Sequence, residues 1–164
     1  MAYAPQAWRD FAVTTGGLAG ALTGLLFVAV SLHSSALAKS LTLRSRGAQT
    51  LVLFLTPAIG ALVLAAPQPA AALGAELLAA AAVSGSALYV LDRRTGHDPG
   101  AGTGVARYVE RASPNTVTAV LFGIAGFTFL IKAGGGLYWM IPAVLAGLIG
   151  GVINAWLFLV RLSD

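Results

Sequence analysis

Long apolar stretches alternate with short polar connections along the whole chain. Most of the stretches approach the roughly 20 residues that an α-helix needs to cross the hydrocarbon core of a membrane. They lack the strict alternation of apolar and polar residues that is typical of transmembrane β-barrel strands. The pattern predicts an all-α polytopic transmembrane bundle that forms a single integral membrane domain over residues 1–164. The five predicted spanning helices cover residues 11–32, 51–66, 73–91, 115–131 and 137–160.

The first apolar stretch has a competing interpretation as a signal peptide. A small-residue Ala-Leu-Ala sequence at residues 36–38 follows it and is similar to a cleavage site. The run is about 22 residues long, however, which exceeds the 7–15 residues typical of a signal-peptide core. Arg9 is also offset by Asp10, so the positively charged flank is missing. We therefore expect residues 11–32 to remain as the first spanning helix.

The composition agrees with a membrane protein and excludes several other classes. Apolar residues make up 57% of the 164 residues and charged residues only 10%, whereas soluble domains have about 45–50% and about 25%. The mean hydropathy is +0.82. The absence of cysteine excludes disulfides, thiolate catalysis and cysteine-ligated metals. Two histidines leave little for a metal site, so we expect no metal and no cofactor.

The basic residues predict the orientation in the membrane. The net charge is +4, and cytoplasmic loops of membrane proteins carry an excess of Lys and Arg. Only Arg9 and Lys132 fall on the other side of the predicted bundle, which places the N-terminus outside, and the C-terminus and the loop 92–114 in the cytoplasm. Because topology explains these charges, we expect no nucleic-acid partner. The eight basic residues on the predicted cytoplasmic side are Lys39, Arg44, Arg46, Arg93, Arg94, Arg107, Arg111 and Arg161.

Four of these arginines lie in or beside the predicted cytoplasmic loop and are candidates for contacts with lipid headgroups. Each basic residue near an anionic membrane surface contributes about 1 kcal/mol. The same loop contains His97 in a glycine-rich segment, 95–104, which lacks the Gly-Lys-Ser/Thr ending of a phosphate-binding loop. We interpret that segment as a connecting loop. The four candidate arginines are Arg93, Arg94, Arg107 and Arg111.

Small residues recur four apart on two of the predicted helices. The first helix carries Gly16, Gly20 and Gly24, and the fifth carries Gly147 and Gly151 between Ala143 and Ala155. Such faces allow helix backbones to approach closely in lipid. The spacing predicts helix packing through both faces, and it leaves open whether the contacts lie within one subunit or between subunits.

Polar residues inside the predicted helices are the other candidate functional groups. Most of them map to the cytoplasmic half, and five of those are candidates to line a polar cavity or pore. In the alternative interpretation, the hydroxyls bond to their own helices and the amide bonds to a neighbouring helix. The five are Ser31, Thr56, Ser86, Thr118 and Asn154. Near the outer face, Glu76 and Lys132 are a candidate ion pair, or could instead reach the headgroup region separately.

Three segments carry a resemblance to a known group of proteins. They are Trp8-Arg-Asp-Phe11, the apolar run from Ala21 to His33, and Arg46-Gly-Ala-Gln-Thr50. Over the first 75 residues the chain resembles small multi-pass membrane proteins of high-GC bacteria, some of which are described as modulators of a membrane protease. The resemblance implies a bacterial cytoplasmic-membrane location and transfers no functional residue.

Three functional hypotheses follow for a protein whose main partner is the lipid bilayer. A homo-oligomeric channel or small-solute pore would use the glycine faces for assembly and the polar set as its lining. A non-catalytic accessory or regulatory subunit would use the same faces to dock a membrane-protein partner. A secondary transporter is less favoured, because the chain lacks an inverted repeat and paired broken helices. The sequence shows no nucleophile–base–acid pattern, so we expect no enzyme.

Overall fold

The computed structural model describes residues 2–95 and 114–163. These residues form α-helices and short connections, with no β-strand among them. Single 3-10 turns at Pro5–Trp8 and Gly136–Trp139 lead into the first and last long helices. The helices are α1 (Arg9–Leu32), α2 (Ser34–Lys39), α3 (Leu41–Ala65), α4 (Ala70–Thr95), α5 (Pro114–Leu130) and α6 (Met140–Ser163).

The helical fold class is confirmed, and four segments are long and apolar enough to cross a membrane. They are Pro5–Leu32, Leu41–Ala65, Ala70–Leu91 and Gly136–Val160. The remaining long helix, α5, is equally apolar in character but has 17 residues, at the lower limit of about 17–25 for a spanning helix.

The third helix begins upstream of the predicted start at residue 51. Ser40 caps it, because the Ser40 hydroxyl accepts a hydrogen bond of 3.3 Å from the backbone N–H of Leu43. Its N-terminal part is polar, and although Arg44 is exposed, Ser45, Gln49 and Thr50 are buried in the bundle. A prediction from hydropathy starts the spanning helix after these polar residues, although the α-helix itself runs through them. The short helix α2 was not predicted.

Helix α3 is the centre of the bundle and packs against α1, α4 and α6. Half of the residues in the apolar stretch of α3 are buried, compared with 17% of those in the apolar stretch of the segment Pro5–Leu32, which includes α1. Helix α5 packs between α4 and α6. The central side chains Leu53, Phe54 and Phe122 are almost fully buried. Helix α1 contacts mainly α3, so it lies at the periphery and leaves much of its surface uncovered.

The N-terminal segment is tied to the turn between α5 and α6. The backbone N–H of Leu137 donates to the carbonyl of Ala2 at 3.0 Å, and the N–H of Gly135 donates to the Tyr3 hydroxyl at 3.2 Å. Gly136 has a φ of +54°, and a Cβ there would lie 2.5 Å from the Tyr3 ring. Glycine is thus required at this close approach. The N-terminus and the 131–137 turn therefore lie at the same end of the bundle.

Candidate helix-docking surface

The two glycine faces predicted from the sequence have different environments. On α6, a Cβ built on Gly147 would lie 3.0 Å from Pro57 Cγ, and one on Gly151 would overlap the Phe54 ring. Both glycines are buried. The α6 face therefore packs against α3 within this chain, where glycine lets the two backbones approach closely.

The contact at Gly147 also covers a backbone carbonyl that lacks its helical donor. Pro57 lies inside α3 and has no N–H, so the carbonyl of Leu53 receives no hydrogen bond from it. A Cβ on Gly147 would be 3.3 Å from that carbonyl oxygen. Glycine at this position therefore lets α6 lie close to the Leu53 carbonyl, which lacks its helical hydrogen-bond donor.

The face on α1 is largely open. A Cβ on Gly16 would lie 3.6 Å from the Cβ of Ala61 on α3, an ordinary contact. A Cβ on Gly17, Gly20 or Gly24 would have no atom of another helix within 4 Å. Of the three predicted packing glycines on this helix, only Gly16 lies against another helix of this chain.

Exposed small residues extend this open region along most of α1. From Thr14 to Gly24 they recur at spacings of three and four residues, and Ser31 follows Gly24 by seven, which places all of them on one side of an α-helix. We call this surface the open α1 face. It consists of Thr14, Gly17, Gly20, Ala21, Gly24 and Ser31, all of them exposed.

The predicted pore-lining residues are not brought together in this chain. Thr56 and Thr118 are buried, and their hydroxyls donate to carbonyls one turn earlier in their own helices, at 2.8 Å and 2.7 Å. Ser86 is exposed and donates to the Val83 carbonyl at 2.9 Å. Ser31 is exposed on α1, and Asn154 is half-buried on α6. These positions do not define one common polar cavity.

The charged candidates lie on the surface where they are described. Glu76 and Lys132 are both exposed, and within residues 2–95 and 114–163 no hydrogen bond or ion pair joins them. The guanidinium of Arg93 lies 4.6 Å from the ring centroid of Tyr89, a cation–π distance. The Arg94 side chain, Arg107 and Arg111 lie outside the described part of the chain.

Sequence reasoning missed a buried amide at the start of α5. Asn115 is 5% exposed, and its side-chain oxygen Oδ1 has no hydrogen-bond partner. It lines a cavity of about 260 Å³ between α4 and α5 with Gly85, Tyr89 and Thr116. The Pro-Asn pair at 114–115 indicated a helix start, but nothing in the pattern showed that this amide would be buried.

The described residues contain no cluster of three or more metal-binding side chains. Compared with known proteins, the chain matches no family model, no curated protein and no solved structure. The resemblance to small multi-pass bacterial proteins stays a prediction. Over the residues that the structure describes, the protein is all-helical, with four helices long and apolar enough to cross a membrane.

Proposed function

We propose that this protein is a non-catalytic accessory subunit of a membrane complex and docks a transmembrane helix of its partner on the open α1 face. The observation that supports this proposal most directly is the empty space over Gly17, Gly20 and Gly24. Helices in lipid associate through van der Waals contact at small residues, because lipid offers no hydrophobic drive between them. In this chain α3 covers the glycine face of α6, whereas no helix covers Gly17, Gly20 and Gly24 of α1.

In this proposal the protein has five spans in the bacterial cytoplasmic membrane, with the N-terminus outside and the C-terminus inside. Helix α5 is the fifth span, and its 17 residues suffice if it crosses with little tilt. The charge distribution supports the orientation, because Lys39 ends α2 and Arg44 and Arg46 lie in the first turns of α3, at the end opposite the N-terminus.

A homo-oligomeric pore is the second candidate, and one observation favours it. The open α1 face carries the exposed hydroxyl residues Thr14 and Ser31, so self-association through this face would bring hydroxyl groups of several copies together. Within one chain, in contrast, Thr56, Thr118 and Ser86 use their hydroxyls on their own helices. Because three of the five predicted lining residues use their hydroxyls in this way, the accessory role is preferred over the homo-oligomeric pore.

The proposal is tested by enlarging the open α1 face. Gly20→Leu combined with Gly24→Leu should remove a stoichiometric partner from the complex isolated in native nanodiscs, while the helix content of the protein is retained. Ala82→Leu is the matched control, because Ala82 is an exposed small residue on α4. It should leave the complex intact.

The outcomes separate the two candidates. A hetero-complex that depends on Gly20 and Gly24 but not on Ala82 supports the accessory role. A homo-oligomer with the same dependence, together with ion conductance in planar bilayers, supports the pore. A wild-type protein that is monomeric without a partner, or a complex unaffected by the glycine substitutions, contradicts docking on this face.

A further inference from the structure

A cleft opens between α1, α2 and α3 at the end of the bundle opposite the N-terminus. Its volume is about 350 Å³, within the range of about 300–1,000 Å³ that is typical of small-molecule sites. Its walls are apolar apart from one cation at its edge. The side chains that define it are Leu26, Phe27 and Val30 of α1, Leu37 of α2, and Arg44 and Leu51 of α3.

The cation at the edge of the cleft is held in place by the short helix. Nη2 of Arg44 donates a hydrogen bond of 3.2 Å to the carbonyl oxygen of Ala38 in α2. A guanidinium has five N–H donors in a planar fork, so this contact fixes the group and leaves further donors for an anion. The Arg44 side chain is exposed, which allows a ligand to reach it from the membrane surface.

The segment around the cleft is positively charged. Residues 33–50 contain Lys39, Arg44 and Arg46 and no acidic residue. A purely apolar ligand would not use the Arg44 guanidinium at the edge of the cleft. A small anion would not use the apolar walls. Charge and shape together are complementary to an anionic head joined to an apolar chain.

We propose that this cleft binds one anionic phospholipid, with an acyl chain along Leu26, Val30 and Leu51 and the phosphate at Arg44. The proposal rests on the membrane-spanning arrangement proposed above, in which this end of the bundle lies at the cytoplasmic surface. Basic pockets between transmembrane helices on that side are typical sites for anionic headgroups. The arginine fork can bind a phosphate through two parallel hydrogen bonds.

The test compares two lipids that differ only in their headgroup. Delipidated protein in a non-ionic detergent is titrated with phosphatidylglycerol or phosphatidylcholine carrying identical acyl chains, and bound lipid is counted by native mass spectrometry. We expect one phosphatidylglycerol per chain, bound more tightly than phosphatidylcholine. Arg44→Gln should weaken phosphatidylglycerol binding about fivefold and leave phosphatidylcholine binding unchanged.

Two further variants separate the headgroup contact from a general charge effect and from the apolar cleft. Arg9→Gln removes one exposed positive charge at the opposite end, and it should retain the preference for phosphatidylglycerol. Ala48 lines the same cleft, so Ala48→Phe should reduce the binding of both lipids. Inorganic phosphate at the same concentration should not displace the lipid, because it lacks the chain.

Equal binding of the two lipids by the wild-type protein would overturn the proposal. So would a preference that Arg44→Gln and Arg9→Gln reduce equally, since that result indicates general charge attraction. Circular dichroism of each variant establishes that the helices are intact. The readout counts bound lipid and does not depend on partners at the open α1 face, so failure here is distinguishable from failure of the proposed docking role.

Discussion

Gly147 of α6 lies directly against Pro57 of α3, so that a Cβ at Gly147 would be only 3.0 Å from Pro57 Cγ. The methyl group of Thr118 on α5 would be 3.2 Å from the same position. Three helices thus meet at a residue without a side chain. The proline that removes one helical hydrogen bond from α3 lies where α6 can cover the resulting carbonyl.

Enlarging Gly147 should therefore destabilise the folded chain itself. Gly147→Leu inserts a branched side chain among Pro57, Thr118 and the Leu53 carbonyl, all of which belong to packed helices. Overpacking of this kind typically costs about 1–3 kcal/mol, so we expect a lower melting temperature in detergent or nanodiscs.

The control for this prediction is Ala82→Leu, which adds a similar volume to an exposed position of α4. Its melting temperature should equal that of the wild-type protein. An unchanged melting temperature for Gly147→Leu would mean that α6 does not pack closely on α3 at this level.

The contrast between Gly147 and Gly20 shows how far the sequence could predict the fold. Both belong to runs with four-residue spacing, which predicted a packing face on each helix. It could not show that Gly147 is covered by a neighbouring helix and Gly20 is not. That difference depends on the order of packing, which leaves α1 in contact with mainly one helix.

The existence of the long helices was predictable from hydropathy, whereas the short helix α2, the helix bounds and the sites were not. The start of α3 at Leu41 depends on the Ser40 cap and on tertiary burial of Gln49, and hydropathy records neither. Arg44 was recognised only as a topology signal, because its position beside an apolar cleft depends on how α2 folds back. Tertiary contacts of this kind have no periodic signature in the sequence.

The unpaired amide oxygen of Asn115 gives a second prediction. A buried acceptor without a hydrogen bond costs about 1–3 kcal/mol, and replacing it with an apolar group of similar size removes that cost. Asn115→Leu should therefore keep or raise the melting temperature. The adjacent cavity provides space for the rearranged side chain.

Thr118→Val is the comparison for Asn115→Leu, because the Thr118 hydroxyl is bonded to the Pro114 carbonyl at 2.7 Å. Losing that hydrogen bond should lower stability by about 0.5–1.5 kcal/mol. If Asn115→Leu lowered the melting temperature more than Thr118→Val, the Asn115 oxygen would have to contribute a stabilising interaction.

The last prediction concerns orientation and the fifth span together. The chain has no cysteine, so a single introduced cysteine reports its own position without background labelling. Ala66 and Ala133 are exposed in connections between helices, and Ser35 is exposed on the short helix α2. With the N-terminus outside, a membrane-impermeant maleimide on intact cells should label Ala66→Cys and Ala133→Cys, and should label Ser35→Cys only after the cells are permeabilised.

Each departure from this labelling pattern has a specific meaning. Labelling of Ser35→Cys alone in intact cells would show that the orientation is inverted, against the charge distribution. Because α4 and α5 lie between these two positions in the chain, and α4 is long and apolar enough to cross, labelling of Ala66→Cys without Ala133→Cys would indicate that α5 does not cross the membrane. With 17 residues, α5 is the shortest of the five proposed spans, so its crossing of the membrane is the point that the labelling has to establish. Labelling at both positions would show that α5 crosses together with α4, and that the N-terminal segment bonded to Gly135 and Leu137 lies on the outer surface.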